Sequence, residues 1–206
     1  MTAIVDYGVG NLFSLRSSLA AIGEDATVTG DARVLRSADR LLLPGVGAFA
    51  DAAEKLRAGG LADVILERVA AGVPLLGICL GMQMLFDTSY EYGEHRGLGL
   101  IGGEVRPIRE RISPTLKIPH IGWNPLTLVG ARHPVMKYIN DGDCVYFVHS
   151  YAAEGCEGSV IATAEYSVPL TAAVARDNVV GCQFHPEKSG RVGLSILRGF
   201  LEWGGR

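Results

Sequence analysis

Hydrophobic and polar positions along this chain follow two rhythms. In the first half, short apolar runs alternate with longer stretches whose apolar residues recur at every third or fourth position. Ala3-Ile4-Val5, Ala26-Thr27-Val28-Thr29, Leu41-Leu42-Leu43 and the fully apolar stretch from Pro74 to Ile78 read as strands. Between them, Leu12, Leu15 and Leu19 share one helical face behind a capping Asn11, and Val64, Ile65 and Val69 share another in a helix over 61–70. Met82-Gln83-Met84-Leu85-Phe86 reads as a further helix. Apolar strands separated by helices predict a parallel sheet covered on both faces.

Beyond about Gly93 the pattern shortens to brief strands between Gly- and Pro-rich turns: Val105–Ile108, Cys144–Val148, Ser159–Thr163, Leu170–Ala175 and Val179–Phe184. Ser189 is placed to cap a closing helix with Leu194, Leu197 and Leu201 on one face. There is no internal repeat and no low-complexity linker. The expectation is one α/β domain over residues 1–206: a central, mostly parallel sheet flanked by helices, with an antiparallel part in the second half.

Composition adds limits. Of the 206 residues, 48% are hydrophobic and 20% charged, as in a compact domain. The formal net charge of −3 offers no electrostatic case for nucleic acid or membrane binding. The basic cluster Arg106, Arg109, Arg111 and Lys117 is interleaved with Glu104 and Glu110, and reads as a solvated loop or edge strand. The chain opens directly on a strand-like run without a charged leader, and its apolar stretches stay below the ~18 residues that span a bilayer. A cytoplasmic protein is expected. The four cysteines lack metal-type spacing, and no metal is expected. Cys144 and Cys182 read as small buried hydrophobes, and Cys156 as a surface position.

Cys79 is different. Gly77-Ile78-Cys79-Leu80-Gly81 places a thiol between two glycines, after a strand and before a helix, which is the layout of a nucleophile elbow. The flanking glycines permit a tight turn and close backbone approach, and the amides opening the helix favour thiolate. Far downstream, Gln183-Phe184-His185-Pro186-Glu187 brings a base and a carboxylate two residues apart. On an extended segment they point the same way, so Glu187 can orient the His185 ring. A third element, Leu43-Pro44-Gly45-Val46-Gly47, sits at another strand end, where a Gly-rich loop can offer amides to an oxyanion. Such donors are worth roughly 3 kcal/mol each.

At these residues the chain resembles the class I (triad) glutamine amidotransferases over essentially its whole length, which implies a flavodoxin-like domain of that type. Further segments are similar to the glutaminase subunits that serve a cyclase partner in histidine biosynthesis: Asp6-Tyr7-Gly8-Val9-Gly10-Asn11-Leu12, Pro119-His120-Ile121-Gly122-Trp123-Asn124 and Tyr146-Phe147-Val148-His149-Ser150-Tyr151. Met82 and the His120–Asn124 segment separate the chain from anthranilate-type subunits. The resemblance implies that Cys79, His185 and Glu187 hydrolyse glutamine to glutamate and ammonia without a cofactor. It implies oxyanion donors at Leu80 and within Gly45, Val46 and Gly47, and glutamine contacts at Gly47, Gln83, Glu91, Ser150 and Tyr151. The implied partner is a (β/α)₈-barrel cyclase that receives the ammonia, met by Asn11, Trp123, Asn124, Tyr146 and Lys188. The resemblance also suggests that an amide of the Gly45–Gly47 loop must reorient before catalysis, leaving the isolated subunit nearly inactive. His149 is expected to be structural. Phe13 and Ala152 depart from the pattern, with Phe13 expected to alter the interface and Ala152 the pocket wall. A stand-alone thiol hydrolase, a silent binding subunit and amidotransferases serving other synthases are the competing readings.

Overall fold

The computed structural model describes residues 1–205. Its elements run β1 (Thr2–Val5), α1 (Leu12–Ala21), β2 (Thr27–Thr29), α2 (Ala32–Arg36), β3 (Arg40–Gly45), α3 (Phe49–Ala58), α4 (Leu61–Ala70), β4 (Leu75–Cys79) and α5 (Leu80–Gln83). Next come β5 (Thr88–Ser89), β6 (His95–Arg96), β7 (Glu104–Pro107), β8 (His120–Leu128), β9 (Cys144–His149) and β10 (Tyr151–Glu154). β11 (Val160–Glu165), β12 (Pro169–Arg176), β13 (Val179–Cys182) and α6 (Gly190–Glu202) complete it.

The main sheet has the order β2-β1-β3-β4-β13-β12-β11-β8-β9. From β2 to β13 neighbours are parallel; from β13 outward to β9 they are antiparallel. Alternation along the central strands explains why both faces are apolar. Ala3, Val5, Leu41, Leu43 and Leu75 point to the side covered by α2, α3 and α4, whereas Ile4, Leu42, Leu76 and Ile78 point to the side of α1 and α6. A second sheet, β10-β7-β5-β6, lies beyond the first and was not foreseen.

Several expectations need correction. α5 is a single turn ending at Gln83, not a helix through Phe86, because the chain turns back to bring Leu98 and Gly99 onto the Met84 and Phe86 carbonyls. α3, not assigned from the sequence, follows at once after the loop at Pro44–Gly47 and buries Phe49, Ala52, Ala53 and Leu56. His120–Asn124 opens a nine-residue strand. In α6 the buried face is Gly193, Ile196, Leu197 and Phe200, so Leu194 and Leu201 lie at its margins. Gly193 sets that rotation: a Cβ there would stand 1.9 Å from the Pro186 carbonyl oxygen, so only glycine lets the helix seat so closely. The Asn11 side chain makes no capping bond to α1, nor Ser189 to α6. Cys144 is exposed and Cys156 buried, the reverse of expectation; Cys182 is buried as expected. Cys144 opens an edge strand, whereas Cys156 packs under the turn beside Gly103. Ala152 joins a small core with Ile108, Ile112 and Leu170 instead of a pocket wall. Among the described residues no helix is long and apolar enough to cross a membrane.

Candidate active site

Cys79, the Gly45–Gly47 loop and the segment carrying His185 stand at the ends of three adjacent parallel strands. β4 lies between β3 and β13, with Gly45 opposite Cys79 and Cys182 opposite Ile78. All three strands end at the same edge, where ligands bind in open α/β sheets.

Cys79 caps the one-turn helix with φ 54 and ψ −110, a conformation rare for a side-chain-bearing residue. Such strain costs ~1–3 kcal/mol and persists only where the surroundings enforce it. The surroundings here are glycines. A Cβ on Gly81 would lie 1.8 Å from the Leu43 carbonyl oxygen, and one on Gly77 would lie 2.7 Å from the Gly81 oxygen. Gly45 is equally closed in, with the Tyr7 hydroxyl, Gly81 amide and Leu80 Cβ all inside 3.0 Å of a Cβ placed there. The elbow therefore packs backbone to backbone against the end of β3. The buried Tyr7 hydroxyl donates to the Pro44 carbonyl at 2.8 Å and holds that end in place; burial pushes its ionisation well above the usual range. Val46 and Gly47 are free of these contacts, Gly47 having φ +94 with open space around it. Since α5 is one turn long, the amides at the elbow, not a long helix dipole, are what stand near the sulfur.

His185 and Glu187 are both buried, with Nδ1 of the ring 2.8 Å from Oε1 of the carboxylate. Burial alone would lower the histidine, but the Cys79 sulfur and then Glu187 outweigh it and raise it to about 9. The segment is not extended throughout, as the sequence suggested. β13 stops at Cys182, and Pro186–Lys188 makes a 3₁₀ turn begun by Pro186, whose fixed φ suits that position. Ser189 clamps the turn: its hydroxyl donates to the His185 carbonyl at 2.6 Å and accepts the Tyr146 amide at 2.9 Å. The His185 amide also donates to the Tyr146 carbonyl at 3.0 Å.

A cavity of about 630 Å³ opens over Cys79 and His185. Of the residues named for glutamine and the oxyanion, Val46, Gly47, Leu80, Gln83, Glu91, Ser150 and Tyr151 line it; Gly45 lies behind, under the elbow. Glu91 is at the tip of the β5–β6 hairpin, where Oε2 accepts the Phe49 amide, which fixes the carboxylate at the cavity wall. Beside it Tyr92, 89% exposed and with φ 53, meets the Tyr151 ring edge-on at 6.4 Å. Gln183, within the Gln183–Glu187 motif, was not expected at the site. It is fully buried, donates toward the Cys79 sulfur at 3.7 Å and accepts from Gln83 at 3.1 Å. Its position two residues before His185 was the available signal, since alternate residues of a strand share a face.

Of the residues named for a partner surface, Trp123 is 55% exposed and meets Tyr146 edge-on at 6.0 Å, and Lys188 Nζ lies 5.8 Å from the Tyr146 ring centroid. These three form one cluster immediately outside His185. Asn124 turns its amide back toward His120. Asn11 precedes α1, which packs on the Pro186–Lys188 turn, and Phe13 on that helix is 82% exposed. The basic cluster is drawn into local pairs, Arg106 with Glu104 at 2.5 Å and Arg111 with Glu154 at 3.4 Å, while Arg109 holds the Pro114 and Leu116 carbonyls at the cavity rim.

The family model described as glutamine amidotransferase class-I matches residues 3–202. A Lactococcus lactis protein called imidazole glycerol phosphate synthase subunit HisH is 48% identical over 200 residues, covering 97% of this chain and 96% of that protein. A Wolinella succinogenes protein of the same description is 46% identical over 206 residues, covering 99% and 100%. Among solved structures, one described as a glutamine amidotransferase superposes with a TM-score of 0.77 at 21% identity, covering 100% of this chain and 99% of that one. PurLQS from Thermotoga maritima gives 0.73 at 20% identity, with 97% and 96% covered. At those identities the likeness is one of fold.

Proposed function

Because the chain belongs to the class I glutamine amidotransferase family, we propose that it is the glutaminase subunit of an imidazole glycerol phosphate synthase. In this reading it hydrolyses L-glutamine to glutamate and ammonia. The ammonia passes to a cyclase subunit, which uses it to make imidazole glycerol phosphate and an aminoimidazole carboxamide ribotide in histidine biosynthesis. The observation that carries the chemistry is the buried His185–Glu187 pair at 2.8 Å set against a strained Cys79 at the floor of the cavity. The full-length similarity to subunits of that name carries the choice of synthase.

The geometry supports the following course. With His185 favoured in its charged form at neutral pH, Cys79 attacks as thiolate at the carboxamide carbon of glutamine. The carbonyl oxygen becomes an oxyanion, for which the Leu80 amide and an amide of Gly45–Val46–Gly47 are the proposed donors. His185 gives its Nε2 proton to the departing nitrogen as the carbon–nitrogen bond breaks, releasing ammonia and leaving a γ-glutamyl thioester. Water then attacks, His185 takes its proton, the carbon–sulfur bond breaks and glutamate leaves. Glu187 holds the ring by Nδ1 throughout. Glu91, fixed by the Phe49 amide, supplies a negative charge for the substrate ammonium. Gly47, Gln83, Ser150 and Tyr151 complete the proposed glutamine site.

We place the cyclase on the Trp123–Tyr146–Lys188 cluster, with Asn11 and Asn124 at its edges, forming a cytoplasmic heterodimer. Tyr7 anchors Pro44 while Val46 and Gly47 stay unpacked; this supports a loop whose amide turns into place when the partner is engaged. The test is glutamate release by the chain alone, and by the chain mixed with a cyclase barrel and its nucleotide. Release that depends on the mixture is expected, and a Cys79→Ala variant that still releases glutamate overturns the mechanism.

A further inference from the structure

Two buried histidines outside the triad form a chain from the proposed partner face to the cavity. His149 Nδ1 lies 2.9 Å from the Tyr151 carbonyl oxygen, and His149 Nε2 lies 3.0 Å from His120 Nδ1. His120 Nε2 lies 2.7 Å from Asn124 Oδ1, and Asn124 Nδ2 lies 3.2 Å from the Glu165 carbonyl oxygen. His120 is stacked against Phe147 and Tyr166, with centroids 5.0 and 4.1 Å away. Its polar exits are therefore the two in-plane nitrogens.

The protons do not add up for a static network. Both ends of the chain are carbonyls, which only accept. The three contacts made by the rings each need a ring proton, but two neutral imidazoles carry two. A third proton would charge the pair, and burial opposes that, lowering His120 and pushing His149 down to about 4. Leaving the ring–ring contact empty would set two bare lone pairs 3.0 Å apart in a dry site.

Two neutral arrangements remain. In one, both rings carry the proton on Nδ1: His149 donates to the Tyr151 carbonyl, His120 donates to His149, and the Asn124 amide turns over to donate to His120, giving up Glu165. In the other, both carry it on Nε2: His149 donates to His120, His120 to Asn124, and Asn124 to Glu165. The Tyr151 carbonyl then keeps only the Gln83 amide at 3.2 Å. Each arrangement makes three of the four contacts, so neither is favoured by count.

We infer that His120 and His149 are positioning residues forming a two-state hydrogen-bond relay, in which the orientation of the Asn124 amide at the surface determines whether the Tyr151 carbonyl at the cavity is held. Tyr151 lines the cavity beside Ser150, so a contact made at Asn124 reaches the glutamine pocket by changing which pair of tautomers is populated, each ring giving one proton to water and taking one back at its other nitrogen, without displacing a strand. That a cyclase supplies this contact rests on the function proposed above; the relay itself does not.

The test is ¹⁵N NMR of the imidazoles in the full chain at neutral pH, where a protonated ring nitrogen is well separated from a bare one. The two rings are expected to report the same tautomer, or the same averaged mixture, in the wild type. Asn124→Leu removes the surface end and is expected to move both rings to the Nδ1-protonated form, including His149, which does not touch Asn124. Opposite tautomers in the two rings, doubly protonated rings, or a His149 still protonated on Nε2 in Asn124→Leu would overturn the relay. Adding the cyclase subunit should shift both rings together. If the cyclase fails to bind at all, the proposed function fails while the tautomer result stands; if it binds and shifts only one ring, the relay fails.

Discussion

Glu187 meets His185 through one oxygen only: Oε1 lies 2.8 Å from Nδ1, and the buried Oε2 has no hydrogen-bond partner among the described residues. The carboxylate therefore acts on the ring as a charge and a single acceptor. Glu187→Gln keeps the size and removes the charge. We expect partner-stimulated glutamate release to fall by about 10²–10⁴-fold, the range of general acid–base catalysis, with KM for glutamine little changed. Steady-state kinetics with the cyclase present checks this.

The elevated His185 carries a pH signature. Its folded value of about 9 lies above its ordinary value of 6.5, so folding favours the protonated ring. That contribution to stability is complete below pH 6.5 and is lost as pH rises through about 9. Chemical denaturation from pH 6 to 10 should show stability declining across this window. In Cys79→Ala, which removes the sulfur that helps raise His185, the decline should begin at lower pH. An NMR titration of His185 in both proteins gives the same comparison directly.

Glycines near the site separate packing from conformation. At Gly81 a methyl group would meet the Leu43 carbonyl oxygen at 1.8 Å. Gly81→Ala should therefore cost at least ~1–3 kcal/mol by overpacking and distort the elbow, lowering both Tm and kcat. At Gly47 nothing lies nearby, but φ is +94. Gly47→Ala should cost only ~1–2 kcal/mol by left-handed strain. Thermal melts of the two variants should rank in that order.

Ser189→Ala removes a hydroxyl that joins the His185 carbonyl to the Tyr146 amide. Stability should fall by ~1–3 kcal/mol, because the buried amide loses its acceptor. Since the same clamp sets His185 beside Cys79, kcat should fall with it while KM for glutamine moves little. A melt and a kinetic run on one preparation test both halves.

Trp123 offers a partner-binding test. It is 55% exposed, and its ring meets that of Tyr146 edge-on. Trp123→Ala should leave Tm within about 1 °C, as surface changes do, and weaken cyclase binding by at least ~10-fold, as for a buried aromatic anchor. Titration calorimetry against the cyclase subunit measures it.

The placement of Cys79 and His185 at one cavity, with Glu187 paired to the ring, was legible because each sits in a local pattern tied to a strand end: Gly77 and Gly81 around Cys79, and His185 two residues before Glu187. The parallel half of the sheet was legible for the same reason, since Leu41–Leu43 and Leu75–Ile78 are apolar on both faces. What escaped depended on distant partners. Ser189 looks like a helix cap until Tyr146 is folded beside it, and Gln183 gains its meaning from Gln83 and Cys79, each about 100 positions earlier. Cys156 sits in a segment as polar as any surface turn, and its burial follows from the close approach of Gly103 to that turn.

The insertion of β13 between β4 and β12 also has a meaning in time. Synthesis delivers the nucleophile first: β3, β4 and the elbow exist as sequence a hundred residues before β13. Until β13 arrives, β4 has one unpaired edge, no base stands beside Cys79, and Gln183 is absent from its flank. A growing chain, or a fragment ending before β13, therefore carries the Cys79 thiol without the histidine proposed to activate it. The strand that joins β4 to β12 also brings in the proposed base, so under the proposed mechanism hydrolysis of glutamine waits until the sheet is complete.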